Sequence, residues 1–115
     1  MSKKQIIKRR KPKKLLGIHV IGSGKGESIL LELPNGECGI VDCFSPSLTK
    51  KHLNQTLRLL ADFDVTRLRF ICLTHPHEDH FRGITHLLET YQENIEEFWV
   101  FPARYIRKVI VHLAV

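Results

Sequence analysis

The sequence predicts an α/β fold around one sheet, with elements in the order β-β-β-α-β-α-β. Three observations carry that prediction. Short apolar runs rich in β-branched residues recur along the chain, and two longer stretches repeat their leucines at helical spacing. The run "RLRFICLT" (67–74) is apolar almost without a break from Phe70 to Leu73, as expected of a central strand covered on both faces. At 115 residues the chain has room for one domain, and its 43% apolar and 26% charged residues are ordinary for a globular protein, which argues against wholesale disorder.

The elements follow in order. "LLGIHVIG" (15–22) reads as a strand ended by the glycine-rich "GSGKG", and "ESILLEL" (27–33) as a second strand. "PNGE" (34–37) places Asn-Gly between two apolar runs, which predicts a type I′ hairpin and makes "CGIVDCF" (38–44) the antiparallel return strand. "LTKKHLNQTLRLLADF" (48–63) predicts a helix with Leu53, Leu57, Leu60 and Ala61 on its core face and Ser47 or Thr49 as its cap. After the central strand, "GITHLLETYQ" (83–92) predicts a second helix and "EEFWVFPA" (96–103) a last strand, with Phe98, Trp99 and Phe101 as core. "RYIRKVIVHLAV" (104–115) fits helix or strand.

The net charge of +6 is unevenly placed. Residues 1–14, "MSKKQIIKRRKPKK", hold eight of the 18 Lys and Arg and no acid, which leaves residues 15–115 with ten basic and 12 acidic side chains. This tail, expected to be disordered, reads either as an electrostatic arm for nucleic acid or an anionic membrane surface, or as a solubilising N-terminus. There is no apolar run of about 18 residues to span a membrane, and no apolar stretch follows the cationic start as a secretory signal requires. A cytoplasmic location is expected. Cys38, Cys43 and Cys72 are odd in number and lack C-x-x-C spacing, so reduced, buried thiols are expected.

"THPHEDH" (74–80) concentrates three histidines, Glu78 and Asp79 in a loop between the central strand and the following helix. In α/β sheets, ligands bind beyond the carboxyl ends of strands. His75 and His77 are two apart and able to grip one ion; Asp79 and His80, further round the turn, face a second. Imidazole with carboxylate suits zinc and also iron or manganese, and such a cluster can seat a two-metal centre. "GSGKGES" (22–28) is neither a Walker loop nor G-x-G-x-x-G, and reads as a tight turn.

At these residues "THPHEDHFRG" resembles the H-x-H-x-D-H signature of the metallo-β-lactamase-fold hydrolases. "HVIGSGKGESILLELPNGECGIVDC" (19–43) is similar to the first strands of the branch containing the hydrolase domain of bacterial DNA-uptake (competence) channel proteins, and the likeness covers residues 17 to 102. The resemblance implies an αββα sandwich and a metal-dependent hydrolase, in which metal-activated hydroxide attacks an ester, lactone, amide or phosphodiester bond. It implies zinc, two ions, with His75 and His77 on the first and Asp79 and His80 on the second. Asp79 would also assist proton transfer, and Asp42 would hydrogen-bond a ligand histidine and fix its tautomer.

The family's site is completed by a later histidine, a bridging aspartate and a final histidine from a second half of the sandwich. Residues 15–115 are therefore expected to be the N-terminal half alone: a truncated piece, a split subunit or a gene fragment. A half sandwich exposes one sheet face, which favours self-association or pairing with the missing half. Two readings of a different class follow, a metal-binding or structural fragment without turnover of its own and a basic nucleic-acid-binding module. His86, on the motif helix but off its core stripe, and His112 are assigned no role.

Overall fold

The computed structural model describes residues 15–22, 27–74 and 78–100, the side chains of residues 78–81 excepted. The basic segment 1–14, the turn 23–26, the motif positions 75–77 and the segment 101–115 lie outside the described residues.

One five-stranded sheet has the order β1-β2-β3-β4-β5. The strands β1 (Gly17–Gly22), β2 (Glu27–Glu32) and β3 (Cys38–Val41) form an antiparallel meander. Strands β4 (Leu68–Leu73) and β5 (Ile95–Val100) then add in parallel, reached through helices α1 (Gln55–Asp62) and α2 (Glu78–Tyr91). This is the predicted element order, and a mixed α/β sheet as expected. Two crossovers of one hand, stepping the same way across the sheet, put both helices on one face. The core is accordingly one-sided: Leu60 of α1 and Ile84 and Leu87 of α2 close over Leu30, Ile40, Ile71 and Leu73. No helix among the described residues is long and apolar enough to cross a membrane.

Several boundaries differ from expectation, each for a local reason. The β2–β3 turn is not type I′. The carbonyl of Leu33 accepts from Gly36 N at 2.9 Å, Leu33 N donates to Glu37 O at 2.8 Å, and positive φ falls on Gly36 (88°) but not on Asn35. Pro34, whose ring fixes φ near −65°, takes the second position of an ordinary turn, and Gly36 supplies the left-handed residue that follows it. The first helix is shorter than 48–63, because residues Lys51–Leu53 form a 3-10 turn and Asn54 caps α1, its side chain accepting from Leu57 N. Ser47 instead accepts from Lys50 N at 3.0 Å, just ahead of the 3-10 turn, and caps neither helix. Leu53 and Ala61 are exposed, contrary to the predicted core face, while Thr56 and Leu60 are buried.

The second helix starts five residues earlier than expected, at Glu78. Acidic Glu78 and Asp79 suit the first turn, where the helix dipole favours negative charge. Trp99 is also misplaced as core: it is 49% exposed on the face away from the helices, stacked on Phe70 with ring centroids 4.6 Å apart. All three cysteines are buried and free, as expected.

Candidate metal centre

The parallel pair β3 and β4 ends at the same edge of the sheet, and the motif starts there. Asp42, just past β3, has φ 55° and donates its backbone N–H to Cys72 O at 2.8 Å. Its carboxylate then reaches across to the first residue past β4: Oδ1 accepts from Thr74 N at 2.8 Å and Oδ2 from the Thr74 hydroxyl. Asp42 is 8% exposed. It thus fixes the residue immediately before His75 by two hydrogen bonds, one of them to backbone. The expected bond from Asp42 to a ligand histidine falls on His75 and His77, which lie outside the described residues.

Asp79 and His80 are in the first turn of α2, so the second part of the motif is helical rather than a continuation of the loop. Position 79 stands one turn before Gly83 and two before His86, on one strip of the helix. That strip is bolted to the segment following β3. Gly83 N donates to Cys43 O at 2.9 Å, and a Cβ at Gly83 would lie 2.5 Å from that oxygen, so only glycine allows the approach.

His86, fully buried, continues the attachment and was missed as a site residue, because periodicity alone placed it off the core stripe. Its Nε2 lies 2.7 Å from Leu48 O, which can only accept, so Nε2 carries the proton and Nδ1 accepts from Asn54 Nδ2 at 3.0 Å. Asn54 Nδ2 also donates to Gly83 O at 3.3 Å, while its Oδ1 accepts from Leu57 N at 3.1 Å and from the Cys43 thiol at 3.6 Å. One buried amide therefore caps α1, orients the α2 imidazole and touches the β3 loop. The sequence signal that could have found this is a polar residue, Asn54, just before the helical leucines, which marks a cap.

The electrostatics favour nitrogen and oxygen donors over sulfur here. Burial raises the Cys43 thiol to about 11, outweighing its hydrogen-bond contact with Asn54, and burial followed by the Asp42 charge raises Cys72 as well. Both sulfurs stay protonated at neutral pH and do not compete with imidazole or carboxylate for a cation. Among the described residues no three His, Cys, Asp or Glu side chains converge on one point. The described residues flank the motif from two sides: Asp42 and Thr74 on one, and the anchored strip of α2 on the other.

Comparison with protein families gives a match to the metallo-beta-lactamase superfamily over residues 21–100. That span runs from the end of β1 to the end of β5 and contains the whole motif. A search of curated proteins finds no match.

Proposed function

Because the chain belongs to the metallo-β-lactamase superfamily, whose members are usually metal-dependent hydrolases, we propose that it is a hydrolase working with two divalent ions at the carboxyl ends of β3 and β4. The observation that supports this most is the double hold of Asp42 on Thr74, which sets the take-off point of H-x-H-x-D-H. In this reading His75 and His77 hold the first ion, and Asp79 and His80 the second. Their donor set fits zinc, with iron and manganese also compatible. Bound there, such ions supply Lewis acidity and a hydroxide nucleophile at neutral pH.

The remaining work falls to the chain itself. Asp79 accepts a proton from the attacking water and hands it to the leaving group. Asp42 and Thr74 orient the first two histidines, and the Gly83–Asn54–His86 attachment holds the helical turn that carries Asp79 and His80. The bond broken is an ester, lactone, amide or phosphodiester; the eight basic residues of the tail favour a phosphodiester by attraction of its anion. The likeness of residues 19–43 to the DNA-uptake branch points the same way.

The test is metal content with turnover. The chain refolded with zinc is expected to hold close to two ions and to hydrolyse bis(p-nitrophenyl) phosphate, and His75→Ala with His77→Ala is expected to remove metal and turnover together. Unchanged metal in that double variant overturns the proposal. A second reading, a metal-binding fragment that needs a partner for turnover, is favoured by the exposure of Ile18, Val20 and Trp99 on the sheet face away from the described helices. Metal retained without hydrolysis selects it.

A further inference from the structure

The three residues that follow β3 are each tied to a different element. The Asp42 carboxylate holds Thr74 at the end of β4, Cys43 O accepts from Gly83 N of α2 at 2.9 Å, and Phe44 N donates to the Ser28 hydroxyl of β2 at 2.9 Å. The first two ties flank the motif; the third comes from a strand that carries no motif residue. We propose that Ser28 is a positioning residue of the metal centre, a role that rests on reading the H-x-H-x-D-H segment as such a centre. By holding Phe44 N, its hydroxyl closes a clamp on residues 42–44 that keeps the Asp42 carboxylate on Thr74 and so fixes the start of that segment.

Register shows what the bond replaces. The pairing of β2 with β3 ends at Ile29 opposite Val41, and one more step would set Ser28 opposite Asp42. Asp42, at φ 55°, instead turns the chain off β2 towards the end of β4, where its own N–H donates to Cys72 O. Backbone pairing with β2 thus stops at a residue in a sparsely populated conformation, which persists only where its surroundings over-determine it. The Ser28 side chain takes over as acceptor two residues further on. It draws Phe44 back to β2 and confines the left-handed bend from its far side.

Burial explains why a hydroxyl stands there. Ser28 is 1% exposed on the helix-facing side of β2, in one row with Leu30 and Glu32. A polar group in such a place is costly unless bonded, and the bond from Phe44 N meets that need. Beside it lies the Cys43 thiol, whose pKa is raised by burial against the opposing hydrogen-bond contacts of Asn54, Thr56 and Ser28. Cys43, Asn54 and Thr56 are as fully buried as Ser28, so the clamp is packed as well as bonded. Ser28 acts on the centre through Phe44 and Asp42.

Ser28→Ala removes the hydroxyl and leaves the strand backbone unaltered. Leu30→Val, two residues along the same row, is the control that lowers stability without touching the clamp. In the metal-free chain, Ser28→Ala is expected to quicken amide exchange about tenfold at Phe44, the loss of one hydrogen bond, and by a similar factor at Thr74, whose N–H the Asp42 carboxylate holds. Leu30→Val is expected to quicken both only as far as it quickens the slowest core amides. With cobalt(II) in the centre, Ser28→Ala is expected to weaken binding by about 10–100-fold and to shift the visible absorption that reports ligand geometry, whereas Leu30→Val leaves both unchanged. Exchange quickened at Phe44 but not at Thr74 overturns the clamp, because the bond would then act on Phe44 alone. Cobalt affinity and absorption unchanged in Ser28→Ala overturn the positioning role. An unaltered chain that takes up no cobalt overturns the metal reading and this role with it, while Thr74 exchange, read without metal, decides the clamp separately.

Discussion

Asp42 sits in the left-handed region, φ 55°, which costs most side chains about 1–2 kcal/mol and which Asp tolerates better than most. The strain stands at the point where its carboxylate holds Thr74. Asp42→Ala is expected to weaken zinc binding by about 10–100-fold, the range for residues that orient a metal ligand. Thr74→Val, which keeps the backbone donor and loses the hydroxyl, is expected to cost less; chelator competition measures both, and equal losses would show that the hydroxyl bond carries the effect. Cys43 gives a second prediction. Its folded value of about 11 lies above the ordinary 9.0, so folding favours the protonated thiol. That contribution is complete below pH 9 and is lost as pH rises towards 11, at most about 3 kcal/mol by linkage. Tyr91, raised by burial to about 12 with its hydroxyl donating to Val65 O at 3.0 Å, extends the same decline above pH 10. Urea midpoints from pH 8 to pH 11 are expected to fall, and Cys43→Ala to flatten the first part of the fall.

At the scale of elements, α2 is placed by contacts rather than by its own periodicity. Gly83→Ala drives a methyl into Cys43 O and Sγ, which sit 2.5 Å and 2.7 Å from that Cβ position, and is expected to destabilise by about 1–3 kcal/mol as an overpacked site. Because position 79 rides on the same strip, metal affinity is expected to fall in the folded Gly83→Ala chain as well; denaturant melts with and without zinc separate the two effects. His86→Leu leaves Asn54 Nδ2 and Leu48 O without their imidazole partner and is expected to cost about 1–3 kcal/mol, more than His86→Gln, which retains a donor and an acceptor. Equal urea midpoints for the two variants would remove the network from the account. Leucine spacing located both helices and missed their starts, because α1 begins where Asn54 caps it and α2 at Glu78, ahead of its first leucine.

For the whole molecule, the two crossovers decide the architecture: both described helices lie on one face of the sheet. The ion pairs joining Arg67 and Arg69 to Glu96 add little to stability, since all three side chains are exposed or half-buried and screened by water. Raising salt to molar concentration is expected to leave the melting temperature nearly unchanged, which calorimetry would show. The sequence by itself determined the order of the elements, the burial of the three cysteines and the superfamily to which the motif points, because local periodicity, turn chemistry and residue type are all written along the chain. Only the tertiary structure decided that Asp42 holds Thr74, that Asn54 ties His86 to the β3 loop and that Trp99 stands on the open face. The Asp42–Thr74 and Asn54–His86 bonds each join residues 32 positions apart, and strand pairing sets Trp99 beside Cys72, 27 positions earlier; no local pattern encodes which distant strand or helix a side chain will meet.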